Sequence, residues 1–117
     1  MITITERSKE FTPVEEYLMT VSPAIVSLKD VENDTHITVA GTLKFTDEKD
    51  NGDTSEILSI ITPDNVVYSC QSATFKRSLK DIQSIMKDTV FTIIKTSGVT
   101  KNGREFINCV LDVATLM

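Results

Sequence analysis

The sequence predicts an all-β chain with one or two helices, closed into a small five-stranded barrel. Three observations carry that expectation. Apolar periodicity sets out the elements as strand, strand, strand, helix, strand, strand. The first of these strands, His36–Thr46, is long and carries Gly41 in its middle, as a strand bending around a small barrel requires. The last two strands form a hairpin within Phe91–Val113 around a polar loop ending in Asn102-Gly103. This is the element order of the OB-fold, a Greek-key barrel with its helix between strands three and four. Residues 1–117 read as one such domain, with residues 1–22 as its amino-terminal helical extension.

Residues Met1–Glu10 alternate weakly through Ile2 and Ile4 and then become charged, which suits a frayed arm or an added edge strand. Thr12-Pro13-Val14-Glu15 starts a helix. Thr12 can cap it, Pro13 fits the first position, and Glu15 completes a capping box. The helix runs to about Thr20 with Val14, Tyr17 and Leu18 towards the core, and Ser22-Pro23 stops it. Ala24–Val31 reads as extended and Glu32-Asn33-Asp34 as a turn.

In His36–Thr46, Ile37, Val39, Gly41, Leu43 and Phe45 share one parity, and Thr38, Ala40, Thr42 and Lys44 the other. Asp47–Thr54 is an acidic loop. Glu56–Thr62 and Val66–Cys70 are apolar strands, joined through Pro63-Asp64-Asn65. Ser72 caps an amphipathic helix reaching about Lys87, with Phe75, Leu79, Ile82, Ile85 and Met86 as its apolar stripe. The strands Val90–Thr96 and Arg104–Val113 close the chain, with Ser97–Gly103 between them.

No apolar stretch approaches membrane-spanning length, and the amino-terminal residues lack the apolar core of a signal peptide. A cytoplasmic protein is expected. Cys70 and Cys109 fall in strands without metal-ligand spacing and read as reduced, buried thiols. A disulfide would need those strands to be neighbours.

The net charge of −5 at first disfavours a polyanionic partner. The distribution reverses this. Lys76, Arg77, Lys80, Lys87, Lys95, Lys101 and Arg104 crowd one segment against only Asp81 and Asp88; a local basic region sets the footprint for nucleic acid, and on charge alone the same lysines equally suit the solvated face of a helix.

Catalytic chemistry finds little support. The single histidine, His36, starts a strand among threonines, and no Cys/His cluster offers zinc ligation. The acidic loop departs from a calcium loop at Lys49 and at Leu58, where the bidentate glutamate should stand. Gly98–Arg104 has P-loop-like glycine spacing, but Arg104 and Glu105 replace the Lys-Ser/Thr pair and a strand follows. Neither a cofactor nor a metal is expected. Phe45, Phe75 and Phe91 follow apolar periodicities and belong to the core. Phe106 lies opposite the apolar parity of its strand and Tyr68 sits in the third strand, so both are candidates to stack on bases.

The stretches VVYSCQSATFKRS, Val66–Ser78, and IKTSGVTKNGREFINCVLDV, Ile94–Val113, which contains the lysine and glycine loop, carry a resemblance. The chain is similar to small single-stranded DNA-binding proteins encoded by phages and related mobile elements of Gram-positive bacteria. In that family a tyrosine-bearing strand leads into a Ser-x-x-Phe helix start, and a glycine-rich loop with Gly-Arg precedes an aromatic. The resemblance covers the carboxy-terminal half well and the other half loosely. It implies that the protein coats single strands exposed during replication in a host cytoplasm, with little sequence preference and no catalysis. The expected DNA-binding residues are Lys44, Tyr68, Lys76, Arg77, Lys80, Lys95, Lys101, Arg104 and Phe106. Single-stranded RNA is the related ligand, self-association into a homo-oligomer is open, and no membrane contact is expected. Bacterial homologues recruit partners through an acidic, Phe-tipped tail, and Thr115-Leu116-Met117 offers nothing of that kind. The rival reading is an OB-like module that binds another protein.

Overall fold

The computed structural model describes residues 1–87 and 89–115; Asp88 of the basic segment and Leu116-Met117 lie outside them. The described chain is mostly β with two helices. In order come β1 (Ile2–Arg7), α1 (Pro13–Thr20), β2 (Val26–Ser27), β3 (His36–Val39), β4 (Gly41–Glu48), β5 (Thr54–Ile61), β6 (Val67–Cys70), α2 (Ala73–Met86), β7 (Phe91–Val99) and β8 (Glu105–Leu111). The strands form two sheets. One has five strands in the order β1-β4-β5-β6-β2 and the other three in the order β3-β7-β8. All pairings are antiparallel except β2 with β6. Neither sheet closes on itself.

Side-chain alternation explains how the sheets stack. In the five-stranded sheet Leu58, Ile60 and Cys70 point to one side. On the inner side of the three-stranded sheet are Ile37, Val39, Phe91, Ile93 and Cys109. These two faces meet as the larger core cluster, and α2 seals it with Phe75 and Leu79. Full burial of each such side chain contributes about 1.5–3 kcal/mol. The opposite face of the larger sheet carries Leu43, Phe45, Ile61 and Val67, which pack with Met19 of α1 in a second cluster.

The amino-terminal segment is therefore structural. Ile2–Arg7 is an edge strand paired with β4, with a register irregularity between Ile4 and Glu6. The capping box forms as expected: Thr12 Oγ1 accepts from the Glu15 N–H at 3.2 Å, and Glu15 Oε1 accepts from the Thr12 N–H at 2.9 Å. That backbone donor holds the Glu15 carboxyl below the usual range. The buried face of α1 differs from expectation. Leu18 is half-buried and Met19 fully buried, while Val14 is 67% and Tyr17 51% exposed. In α2 the same applies to Ile85, which faces solvent.

The long first strand expected from the sequence divides at Ala40. Its first half, β3, belongs to the three-stranded sheet and its second, β4, to the five-stranded one, so the chain changes sheets just before Gly41. Glycine is needed there for space. A Cβ on Gly41 would lie 2.8 Å from the ring of Phe11, a member of the second cluster. Gly41→Val should push that ring aside and lower stability by about 1–3 kcal/mol. A variant that melts with the parent in a thermal scan would show that the ring moves freely.

Three hairpin loops share one construction. In Lys49–Asp53, Thr62–Val66 and Thr100–Arg104 the first residue's N–H donates to the last residue's carbonyl, and the fourth residue's N–H to the first residue's carbonyl. The fourth residue takes positive φ in each: Gly52 at 88°, Asn65 at 65° and Gly103 at 77°. This is a type I turn closed by a left-handed residue. In the second and third loops the threonine Oγ1 also accepts the last residue's N–H, at 3.1 Å in both. Asn102 does not adopt positive φ, so the Asn-Gly pair builds this turn and not the two-residue hairpin that the dipeptide alone suggests.

Candidate functional site

An open groove of about 1360 Å³ runs between the end of β6, the start of α2 and the β7–β8 hairpin. Its walls follow from the topology. Ile57 and Ser69 come from the outer face of β5 and β6, beside the part that α1 covers. Gln71, Ser72, Ala73 and Thr74 bring in the first turn of α2, which Ser72 caps by accepting the Phe75 N–H at 3.2 Å. The same serine donates to the Ile107 carbonyl of β8 at 3.3 Å and ties the helix start to the far wall. The opposite rim is the hairpin, with Gly98, Val99, Arg104 and Phe106.

Phe106 and Gly98 are register partners across β7 and β8. An ideal Cβ on Gly98 would lie 2.5 Å from Phe106 Cζ and 2.9 Å from Cε1, so the tip of the ring covers the glycine. The ring is half-buried and lines the groove. Arg104 is exposed beside it, on the hairpin whose turn Gly103 makes possible. A planar ring held against a sheet with a guanidinium next to it can stack on a flat group and pair with an anion.

No protein-family model, curated protein or solved structure matches this chain.

Of the nine residues singled out from the sequence, the groove gathers Lys95, Arg104 and Phe106. Lys101 is exposed at the hairpin tip. Tyr68 is half-buried and packs against the larger core cluster, as its shared parity with Cys70 suggests. Lys44 forms an ion pair with Glu6 at 3.3 Å. Lys76 Nζ donates to the Glu56 carbonyl at 2.7 Å. Arg77 and Lys80 are exposed on α2 and are not groove residues. The acidic stretch 47–54 contributes nothing to the lining.

Lys29, Asn33 and Gln71 line the groove and were not candidates from sequence. Lys29 lies in a single 3-10 turn, Leu28–Asp30, within the stretch Ala24–Val31 that reads as extended from sequence. Cys70 also lines the groove. Burial pushes its thiol up to about 11, and burial followed by the neighbouring Cys70 pushes Cys109 up to about 12. Both are free thiols and stay protonated near neutral pH, which makes them poor nucleophiles. On the far side, His36 Nδ1 lies 2.8 Å from Oδ2 of the buried Asp112. Among the described residues, no group of three or more His, Cys, Asp and Glu side chains could hold a metal ion.

Proposed function

We propose that the chain binds single-stranded nucleic acid, DNA in the first place, with little sequence preference and without catalysis. The observation that carries this is the Phe106 ring, held over Gly98 and presented to a groove beside Arg104. Every base offers a ring a flat partner, so stacking tolerates any sequence. Lys29, Lys101 and Arg104 supply the cations that follow phosphates along the groove and its rim.

The finer fold reading supports the same function. With β3 and β4 taken as one strand shared between the sheets, the order β3/β4, β5, β6, α2, β7, β8 is that of an OB-type Greek key. OB-folds bind strands across their second and third strands, framed by the loop between the fourth and fifth. Here Ile57, Ser69 and the Thr100–Arg104 hairpin occupy those places in the groove. The resemblance to phage single-stranded DNA-binding proteins assigns the role: coating strands exposed during replication of a phage or mobile element. Binding to another protein is the second reading, favoured by the exposed Val14, Tyr17 and Val21 along α1.

The test is anisotropy with labelled oligo-dT, a matched duplex and an RNA over a series of salt concentrations. Affinity for oligo-dT should exceed that for duplex and fall with a log–log slope of about −0.7 per phosphate neutralised. Lys101→Ala with Arg104→Ala should flatten the slope by roughly one to one and a half units. An unchanged slope would take the hairpin off the strand's path, and no binding at any salt would leave the protein-partner reading.

A further inference from the structure

The inner face of β7 presents Phe91, Ile93 and Lys95 in succession, and all three are buried. Lys95 is only 4% exposed. Its register partner is the buried thiol of Cys109, which brings no negative charge. Lys95 Nζ donates one hydrogen bond, to the Val31 carbonyl oxygen at 2.7 Å. An ammonium has three donors to place. No described residue forms an ion pair with it, although acidic residues outnumber basic ones in this chain.

A charge taken out of water without a counter-ion is strongly unfavourable. Tethering Val31 does not require one, because a neutral donor would serve. The position of Lys95 suggests what the charge is for. Lys95 and Val31 both line the groove, and so do Ala73 and Thr74. These two open α2, whose Ser72 takes the N–H groups of Phe75 and Lys76. The N–H groups of Ala73 and Thr74 have no partner within the helix, and they sit at its positive end. A buried lysine and the two residues that open α2 thus border one groove that a ligand can enter. Several donors around one oxyanion are the requirements of a phosphate group.

We propose that the groove seats a phosphate group on Lys95, with the first turn of α2 as the second contact, and that the bound strand supplies it. The source of the phosphate rests on the strand-binding reading; the seat itself does not.

The experiment uses the full chain with three probes: inorganic phosphate, chloride at matched ionic strength, and an oligo-dT without terminal phosphates. Phosphate should raise the melting temperature more than chloride. It should also move the amide resonances of Ala73, Thr74 and Lys95 before those of other residues. Lys95→Met should fold and melt no lower than the parent, because it removes an uncompensated charge, and should lose the phosphate effect. Its affinity for the oligo-dT should fall by roughly tenfold or more, with a salt slope shallower by about 0.7.

Phosphate and chloride acting alike on the native chain would overturn the proposal, as would a Lys95→Met variant still protected by phosphate. The amide shifts are read on the native chain, so they decide the matter even where the variant does not fold. Phosphate protection that Lys95→Met abolishes, in a protein that binds no oligo-dT, would uphold the seat and overturn the strand as its source. An oligo-dT bound equally by parent and variant would overturn the strand as the source of that phosphate and leave strand binding intact.

Discussion

Phe106→Ala should weaken oligo-dT binding by roughly five- to a hundredfold, the loss of one stacked base at about 1–3 kcal/mol. The salt slope should barely move, since no phosphate contact is lost. The ring is half-buried and its tip rests on Gly98, so its removal uncovers part of a glycine and opens no closed cavity. The fall in stability should therefore stay well below the roughly 3–5 kcal/mol of a truncated core phenylalanine. Gly98→Ala is the companion variant. It keeps the ring but drives a methyl group to within 2.5 Å of Cζ, so the ring must leave its seat. Reduced affinity in both variants, with both folded, would separate the ring's position from its mere presence. If Phe106→Ala melts far below the parent and its folded fraction binds normally, the ring is sheet packing and the stacking assignment is wrong.

The largest expected effect on stability lies at the other end of the chain. Met19→Ala should cost about 2–5 kcal/mol, a fall in melting temperature on the order of 10 °C for a domain of this size. Met19 is fully buried between α1 and Leu43, Phe45, Ile61 and Val67. Its carbonyl accepts a hydrogen bond from Ser59 Oγ at 2.6 Å, so the site is also the helix's fixed point on β5. Ser59 is itself buried, and a shift of α1 would leave its hydroxyl without that partner. A melting curve within two or three degrees of the parent would mean that the extension sits on the sheet without holding it.

The elements that could be read from sequence are those where one face is buried along their whole length. The alternation of Leu43 and Phe45 in β4 and the stripe through Phe75 and Leu79 in α2 are of this kind. So is Gly41, where a small residue inside an apolar strand marked the change of direction. Met19 was hidden because α1 is amphipathic only weakly. Val14, Tyr17 and Leu18 define as good a stripe as the one that docks, and the shape of the sheet beneath makes the choice. The extended reading of Ala24–Val31 covers β2, but its parallel pairing of Val26 and Ser27 with Tyr68 and Ser69 leaves no local pattern.

The groove is the harder case. It joins Lys29, Thr74 and Phe106, residues far apart in the chain, and only the sheet order brings them together. The parity of β7 did place Lys95 with Phe91 and Ile93, so its burial was written in the alternation. A lysine is ordinarily assigned to solvent, and that expectation concealed it.

The three matching hairpins make their loops interchangeable parts. Each is a five-residue cassette with the same two backbone bridges and one left-handed fourth position, filled by Gly52, Asn65 or Gly103. Strand register is set by those bridges and does not depend on what the remaining side chains are. Two of their sequences, KDNGD and TPDNV, each carry a net charge of −1, while TKNGR carries +2. Electrostatic polarity on this scaffold can be rewritten one corner at a time, and the basic corner is the one that borders the groove.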